Sequence, residues 1–294
     1  MIDIYSCPVC DGNSFTPSLT TQDYSVSQET FTIKKCNSCG FQMTSPRPPE
    51  TELGRYYQSE NYISHSHRPT SLMDRVYWFA RQFALRTKYH LINESNPQTI
   101  LDYGCGTGLF LEFCKKNGKI VTGVEPSPTA RALAENKIEP QSVHEDLSTI
   151  QEPFDTITLW HVLEHVPDLN NTIRHLKTLL KPNGNLLIAV PNVTSWESNI
   201  YGKYWAAYDV PRHLWHFEPA TITRLFQQHD FTMTKLVPMK LDSFYISLLS
   251  EKYRRNHKIN LFGMISAGKN GFISNHKAQN TGAYSSLIYI FQHA

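Results

Sequence analysis

The sequence predicts an α/β fold whose central sheet is mostly parallel and is covered by helices on both faces. Three observations support this prediction. Strand-like apolar runs alternate with helices of about 10 to 15 residues from residue 98 onwards. A glycine-rich turn, within TILDYGCGTGLF at residues 99–110, follows the first of these runs. Acidic residues also stand at the ends of the first strands, at the edge where open α/β sheets bind ligands.

The composition is that of an ordinary globular chain. It has 294 residues, 40% apolar and 18% charged, with a net charge of +2. This balance gives no whole-chain signal for binding nucleic acid or a membrane. No apolar run reaches the roughly 20 residues of a membrane-spanning helix, and MIDIYSCPVCDG at the start lacks the parts of a signal peptide. We therefore expect a cytoplasmic protein with no membrane partner.

Residues 1–45 contain two C-x-x-C pairs, Cys7 with Cys10 and Cys36 with Cys39, which 25 residues separate. Four thiolates complete the tetrahedral shell of zinc and leave no open position, so this zinc ion is structural. The gap is slightly longer than the usual pattern. Unmetallated thiols or a redox pair are the alternatives, but a thioredoxin-like motif requires a βα unit that this segment lacks. The segment is therefore predicted to be a zinc ribbon.

The charge of this ribbon bears on its partners. Residues 1–45 contain two lysines and four acidic residues, which gives a negative net charge. A zinc site of four cysteine thiolates would add further negative charge. Phosphate binding requires the opposite sign. The ribbon is therefore expected to be a packing or substrate-domain module, and the charge argues against nucleic acid.

The remaining elements follow in order along the chain. Residues 46–97 begin as a proline-rich linker and continue into a helix from Leu72 to about Ile92, where apolar residues recur at helical spacing. The strands that follow are TILDY, KIVTGVE, FDTITLW, NLLIAV, FTMTKLVPM and SLIYIF. The helices between them are TGLFLEFCKKNG, SPTARALAENK, DLNNTIRHLKTLLKPNG, which stops at Pro182 and Gly184, and EPATITRLFQQHD.

The glycine turn departs from the common phosphate-binding patterns. Gly104, Gly106 and Gly108 give G-x-G-x-G, whereas the dinucleotide fingerprint is G-x-G-x-x-G, and no G-K-[ST] follows. Asp102, two residues before the first glycine, would repel a pyrophosphate but favour a cationic ligand or an ammonium group. Glu125 ends the second strand, where an acid accepts hydrogen bonds from both ribose hydroxyls.

A third acid, Asp146, follows a presumed third strand, where a side chain can meet an adenine amino group. The three acids together describe an adenosine with a positively charged tail and no phosphates. Over residues 98–190 the chain resembles the class I S-adenosylmethionine-dependent methyltransferases, through the ordered segments LDYGCGTG, VTGVEPS, EDL, FDTITLWHVLEHVPD and LLKPNGNLLIAVPN. The alternative is a Rossmann-like domain that has lost its ligand, but packing gives no reason for three acids at strand ends.

The resemblance implies S-adenosyl-L-methionine as cofactor and a set of residues around it. The residues expected to surround the methionine part, ribose and adenine are Asp102, Tyr103, Gly104, Cys105, Gly106, Gly108, Glu125, Pro126, Asp146, Leu147, Trp160, His161 and Val162. The family's Rossmann-like sheet has seven strands and an antiparallel last strand, which residues 98–294 are expected to form. About 45 residues separate the last two predicted strands, so we expect a helical insertion at about 242–280.

The resemblance also implies a lid, because in relatives the segment before the core folds over the cofactor. Residues 46–97 are therefore predicted to form a linker and a helical lid. The stretch GRYYQSENYISHSH supplies its aromatic residues, Tyr56, Tyr57, Tyr62, His65 and His67. The alternative is a surface linker whose tyrosines pack on the core.

Methyl transfer to a hydroxyl or an acidic carbon requires a base for the proton. The segment PNVTSWESNIYGKYWAAYDVPRHLWHF is rich in aromatic residues, which is typical of a small-molecule site. We expect His213 or His216 to be the base. Tyr208, Asp209 and Arg212 are expected to bind substrate, the arginine through a carboxylate or phosphate. The alternative is that the two histidines cap the next helix or fix the loop.

A second candidate pair, His161 and His165, lies in WHVLEHVPD. His161 follows the fourth strand of the family fold directly, so we expect it close to the methyl group. The alternative is that Glu164 and His165 only stabilise this turn.

The sequence therefore predicts an S-adenosylmethionine-dependent methyltransferase for a small polar molecule: a sugar, a sugar nucleotide or a quinone-like phenol. A zinc-binding segment ahead of this domain also resembles a group of bacterial sugar and small-metabolite methyltransferases. The other candidates are an RNA or protein methyltransferase with the ribbon as docking module, and a non-catalytic cofactor-binding protein. The acidic ribbon disfavours RNA, and the intact glycines and acids disfavour a non-catalytic role. The acceptor atom and the oligomeric state stay open.

Overall fold

The computed structural model describes residues 1–57 and 72–294, without the side chains of residues 72–80. Its strands are β1 (Phe15–Gln22), β2 (Thr30–Cys36), β3 (Gln42–Thr44), β4 (Thr99–Tyr103), β5 (Ile120–Val124), β6 (Val143–His144), β7 (Phe154–Trp160), β8 (Leu180–Pro191), β9 (Trp215–His216), β10 (Phe231–Pro238) and β11 (Ser286–His293). Its α-helices are α1 (Glu50–Leu53), α2 (Leu72–Asn93), α3 (Leu109–Lys116), α4 (Pro128–Glu135), α5 (Leu169–Leu179), α6 (Trp196–Tyr201), α7 (Pro219–Gln227), α8 (Asp242–Arg254) and α9 (Leu261–Thr281). The lid residues Tyr62, His65 and His67 lie outside the described residues.

Seven strands form the main sheet in the order β10-β11-β8-β7-β4-β5-β6. β11 runs antiparallel to β8 and β10, whereas the neighbours from β8 to β6 run parallel. This confirms the predicted α/β, Rossmann-like sheet with an antiparallel last strand. From β4 the chain moves to β5 and β6 on one side and then to β7 and β8 on the other. The strand order therefore reverses at β4, and the carboxyl ends of β4 and its neighbours are where a ligand is expected.

The helix α5 ends earlier than the sequence predicts. The predicted stop is at Pro182 and Gly184, whereas α5 ends at Leu179 and β8 follows without a gap. The prediction is wrong here because proline disfavours helical backbone at the residue before it. In addition, Leu180 is buried and pairs with Phe154 of β7. Leu180 therefore already belongs to the sheet, four residues before Gly184.

The cysteine-rich segment shares its sheet with a distant part of the chain. β1, β2 and β3 are joined by β9, a two-residue strand that follows β8 and α6 in the chain. Met43 pairs with Trp215 on this strand. Phe41 stacks on Trp215 and contacts Phe217. The packing of the small sheet therefore bears directly on the region in which the sequence predicts the base.

The helices α8 and α9 lie between β10 and β11, in the stretch where the sequence predicts inserted helices. Both pack on α6 as well as on each other. Glu251 of α8 is buried, accepts a hydrogen bond from Ser266 of α9 and pairs with Arg254 and Arg255. Among the described residues, no helix is long and apolar enough to cross a bilayer.

Candidate functional site

The glycine turn joins β4 to α3 and is held closed by an acid from the next strand. Glu125, just after β5, accepts 2.9 Å hydrogen bonds from the backbone N–H groups of Gly106 and Ser127. Gly104 has left-handed backbone with φ at +77°, and a Cβ there would collide with the Val162 side chain. Glycine at this position therefore lets the turn pass close to the segment after β7.

Asp102 stands beside this turn on β4 and is 3% exposed. Its carboxylate accepts a 2.7 Å hydrogen bond from the Thr158 hydroxyl of β7. Burial raises the pKa of Asp102 to about 7, while the Thr158 hydrogen bond and the charge of Lys88 act in the opposite direction. A buried carboxylate is stabilised by a cation placed against it. The site therefore favours a cationic group, such as an ammonium, at Asp102.

A cavity of about 280 Å³ lies between the glycine turn and α2. The residues that line it are Arg81, Ala84, Leu85, Lys88, Asp102, Gly104, Cys105, Gly106, Thr107, Leu109, Phe110 and Trp160. The volume is close to the roughly 300 Å³ at which small-ligand sites begin. The lining includes five residues predicted to hold the cofactor, so the structure brings this part of the prediction together in one place.

Lys88 of α2 is a cavity residue that the sequence interpretation missed. Its ammonium lies 4.4 Å from the centroid of the Trp160 ring. Burial lowers the pKa of Lys88, and the charges of Asp102 and Asp242 oppose that shift. The cavity thus carries a cation and an anion on its walls. No sequence motif marks this lysine; the only signal is its place on the helix that leads into the first strand of the main sheet.

The remaining predicted cofactor residues follow the same edge of the sheet beyond this cavity. Tyr103 ends β4, Glu125 and Pro126 follow β5, and Asp146 and Leu147 follow β6. Because β5 and β6 pair in parallel, their carboxyl ends lie side by side. Asp146 is exposed, whereas the Leu147 side chain is buried. This order suits a ligand laid across the strand ends, and the contacts of these residues with a cofactor stay predictions. The same holds for Gly108 and Val162.

His161 follows β7 directly and is held between two carboxylates. Its Nε2 lies 3.1 Å from Asp242 Oδ2, and its Nδ1 lies 3.4 Å from Glu164 Oε1. Burial lowers the pKa of His161, but the contacts with Asp242 and Glu164 outweigh burial and raise it to about 9. Its backbone is left-handed, with φ at +59°, a strained conformation that clusters at functional sites. The side chain of His161 is 33% exposed, whereas that of His213 is 11% exposed.

Glu164 is 1% exposed and has three histidines near it. His161 and His213 lie 3.4 and 4.0 Å from its carboxylate, and the ring of His165 packs edge-on against His213 at 4.7 Å. His165 Nδ1 lies 3.0 Å from the Arg212 carbonyl, and burial lowers the pKa of His165 to about 4. The ligand atoms of Glu164, His165 and His213 lie within 4.8 Å of one another, close enough for one metal ion. Protonated His161 already balances the charge of Glu164, so we assign no metal to this cluster.

His216 has the contacts of a packing residue. It lies on β9 in the small sheet and is 3% exposed. Its Nε2 lies 3.0 Å from the Thr44 hydroxyl, which itself donates to the His213 carbonyl. Burial lowers the pKa of His216 to about 3, so the ring stays neutral. These contacts favour the structural alternative for His216 over the predicted role as base.

The predicted substrate-binding residues belong to an internal network. Arg212 is 6% exposed and donates to Asp23 and Asp209 at 2.9 and 2.6 Å, and to the Tyr56 carbonyl at 2.8 Å. A cavity lies beside Tyr208, Asp209 and Arg212. Its volume is about 10 Å³, the space of one water molecule. A substrate anion would have to displace carboxylates from Arg212. The contacts therefore give no support to this substrate role and tie the loop to the small sheet.

The aromatic side chains of the same loop are also largely buried. Tyr201, Trp205 and Phe217 are 3, 2 and 1% exposed. Trp205 packs edge-on against Tyr208 with ring centroids 4.8 Å apart. The aromatic wall that the sequence predicts for a substrate pocket is therefore, in this arrangement, part of the protein core.

The four cysteines of the N-terminal segment converge. The Sγ atoms of Cys7 and Cys39 are 3.5 Å apart, as are those of Cys10 and Cys36, and all four lie within 4.8 Å of one another. A tetrahedral zinc site with Zn–S bonds of about 2.3 Å has sulfur–sulfur edges of about 3.8 Å. The arrangement therefore fits one zinc ion held by four thiolates.

Comparisons with known proteins agree with the fold. The sequence profile of a family described as "Methyltransferase domain" matches residues 77–236. A relative from Coxiella burnetii named "Ubiquinone biosynthesis O-methyltransferase" is 34% identical over 126 residues, 40% of this chain and 50% of the relative. One of the same name from Glaesserella parasuis is 30% identical over 180 residues, 55% of this chain and 74% of the relative. The chain spans about half the length of the first curated relatives that it matches.

Among solved structures, the chain is similar to magnesium protoporphyrin IX methyltransferase from Synechocystis PCC 6803 with bound SAH. The TM-score is 0.54 at 14% sequence identity, and the match covers 84% of this chain and 100% of that one. The structure of the same protein with bound SAM matches with a TM-score of 0.50, over 83% of this chain and 96% of that one. At this identity the likeness concerns the fold.

Proposed function

Since this chain belongs to the methyltransferase domain family, we propose that it is an S-adenosylmethionine-dependent O-methyltransferase acting on a small hydroxylated molecule. One observation carries the proposal. The cavity beside the glycine turn has the buried carboxylate of Asp102 and the ammonium of Lys88 on its walls. This pair matches the two opposite charges of an amino acid, which is the tail of S-adenosylmethionine, and it suits a dinucleotide poorly.

The seating of the cofactor follows from these charges. Asp102 would hold the amino group and Lys88 the carboxylate. Glu125 keeps lone pairs for the ribose hydroxyls while it accepts from the turn, and Leu147 offers an apolar surface for the adenine beside Asp146. When bound, the cofactor supplies a methyl group on a positively charged sulfur. The protein's main task is then to hold the acceptor oxygen in line with that methyl group.

We assign the role of base to His161. It follows β7 beside the cavity residue Trp160, and more of its side chain is exposed than that of His213. Glu164 lies at its Nδ1 and would hold the ring in place, as the acid does in an acid–histidine pair. The Asp242 carboxylate contacts Nε2 on the other side of the ring. An acceptor hydroxyl would replace Asp242 there, and its proton would pass to Nε2.

A phenolic hydroxyl is the acceptor that we favour over a sugar hydroxyl. The support is the name of the relatives, ubiquinone biosynthesis O-methyltransferase. To test this, purified protein is incubated with methyl-deuterated cofactor and either catechol-type phenols or sugar nucleotides, and products are read by mass shift. The proposal predicts the labelled methyl group on the phenols. Methylation of sugar nucleotides alone would contradict the acceptor class, and cofactor binding without any transfer would favour a non-catalytic role.

Lys88→Gln is expected to weaken binding of S-adenosylhomocysteine by about 10- to 100-fold, because one charge-assisted contact to the carboxylate is lost. Binding of 5′-methylthioadenosine, which has no amino acid tail, should not change. Calorimetric titration of both ligands measures the difference. Lys240→Gln, which removes an exposed lysine elsewhere, is the matched control. Equal weakening of both ligands would show that Lys88 supports the fold of the cavity instead of binding the tail.

We also propose that the four-cysteine cluster holds a structural zinc ion. Cys36→Ser is expected to lower bound zinc from about one per chain to none. It should also lower the melting temperature by about 5 to 10 °C, because metal binding contributes directly to folding. Elemental analysis and thermal unfolding measure the two effects. Cys114→Ala removes a buried cysteine outside the cluster and should leave the zinc content unchanged. Zinc retained by Cys36→Ser would contradict the assignment.

A further inference from the structure

The helix α9 turns its small residues inward and its large apolar residues outward. The buried positions are Gly263, Ala267, Gly271, Ser274 and Ala278. A Cβ at Gly271 would lie 2.9 Å from the Phe244 backbone of α8, so the two helices pack very closely. The exposed positions, here called the α9 face, are Leu261, Phe262, Ile265 and Phe272, which are 69, 76, 59 and 67% exposed. With about 3.6 residues per turn, these four side chains fall within roughly one third of the helix circumference.

The α9 face lies in the most basic part of the chain. From Lys252 to Ala294 the sequence has six Lys and Arg residues and no Asp or Glu, although the whole chain has a net charge of only +2. Lys258, just before the helix, and Lys269, on the same side as the apolar face, are both exposed. Exposed cations therefore flank the large apolar side chains. The whole-chain charge, on which the expectation of no membrane partner rests, hides this local excess.

We propose that the α9 face docks on an anionic membrane surface. Its apolar side chains would enter the boundary between headgroups and acyl chains, and Lys258 and Lys269 would lie against the headgroups. Large apolar residues on one side of a helix with lysines beside them are typical of helices that lie in the membrane interface. Anionic lipids also attract such lysines. A second copy of this chain is the weaker candidate for this face, because it would bring two basic surfaces together.

The α9 face lies close to the candidate active site around His161, but the docking proposal does not depend on the proposed methyl transfer. α9 packs on α8, and α8 begins at Asp242, which contacts His161. A membrane bound at α9 would therefore lie one helix layer away from the segment that flanks His161. The proposal concerns where the protein binds, so its test needs no cofactor and no methyl acceptor.

The experiment is co-sedimentation of the full chain with vesicles of phosphatidylcholine, with or without phosphatidylglycerol. The protein is expected to sediment with the anionic vesicles, and less so at high salt. The double variant Phe262→Ser with Phe272→Ser should lose this binding. Lys258→Gln and Lys269→Gln should each weaken it by about fivefold. Ile120→Ser, which removes a side chain that is 68% exposed on the main sheet, should bind as the parent does.

Three sedimentation results would overturn the proposal. These are no sedimentation with anionic vesicles, equal sedimentation with neutral vesicles, and unchanged sedimentation of the double phenylalanine variant. A dimer in analytical ultracentrifugation that the same variant dissociates would also overturn it, since a second copy would then cover the face. The replaced side chains are exposed, so the melting temperature should not fall. An unchanged melting temperature separates lost binding from unfolding.

Discussion

Replacing Asp102 with asparagine is expected to weaken binding of S-adenosylhomocysteine by about 100-fold or more, because a buried carboxylate no longer faces the ammonium of the ligand. Asparagine keeps the shape of the side chain and still accepts the 2.7 Å hydrogen bond from Thr158. The fold should therefore be retained. Calorimetric titration measures the change in affinity directly.

The controls for this variant separate loss of the charge from damage to the cavity. 5′-Methylthioadenosine, without the amino acid tail, should bind Asp102→Asn as it binds the parent. Glu152→Gln, at an exposed loop position, should leave both affinities unchanged. Burial raises the pKa of Asp102 to about 7, so the buried charge costs stability, and the unliganded variant should melt no lower than the parent. A parent-like affinity for S-adenosylhomocysteine would contradict the assignment.

Replacing His161 with glutamine is expected to lower kcat with a phenolic acceptor by about 10²- to 10⁴-fold, the range for loss of a general base. Affinity for S-adenosylhomocysteine should stay nearly unchanged, because the cofactor charges are met by Asp102 and Lys88. Steady-state kinetics and calorimetry measure the two quantities. His216→Gln is the matched control: it makes the same replacement on β9 and should keep most of the activity.

The pH dependence gives a second readout of His161. Only the neutral ring accepts a proton, and Asp242 and Glu164 raise its pKa to about 9. The kcat/KM, which reports the free enzyme, should therefore rise about tenfold per pH unit up to about pH 9 and then level off. Asp242→Asn removes one of the two carboxylates and should move the rise to lower pH. The imidazole carbon signal of His161, followed by NMR, should titrate with the same shift. If Asp242→Asn did not move this pH-dependent increase to lower pH, the result would contradict the assignment of His161 as the base.

The sequence predicts the cofactor edge of the sheet well, because its signals are local. Gly104 and Asp102 lie in one short segment, and Glu125 ends the next strand along the chain. A parallel sheet brings such strand ends to one edge without further information. Lys88 lies outside every motif. It reaches the cavity only because α2 packs beside the glycine turn, which is a tertiary contact that sequence spacing does not encode.

The sequence also cannot predict which histidine is the base, because this too depends on tertiary contacts. The pKa of His161 depends on Asp242, which the insertion between β10 and β11 supplies. His216 is fixed by Thr44 from the cysteine-rich segment. Both partners are far away in the chain. The motif around each histidine is visible in the sequence, but the charges and hydrogen bonds that decide its protonation come from other parts of the fold.

The most direct test of the central claim is calorimetric titration of the zinc-replete protein with S-adenosylhomocysteine and, in parallel, with NAD. The claim is that the glycine turn and its acids hold an adenosyl amino acid. It predicts micromolar binding of S-adenosylhomocysteine and no binding of NAD, whose pyrophosphate would be repelled by the carboxylate of Asp102. Binding of NAD, or of neither ligand, would contradict it.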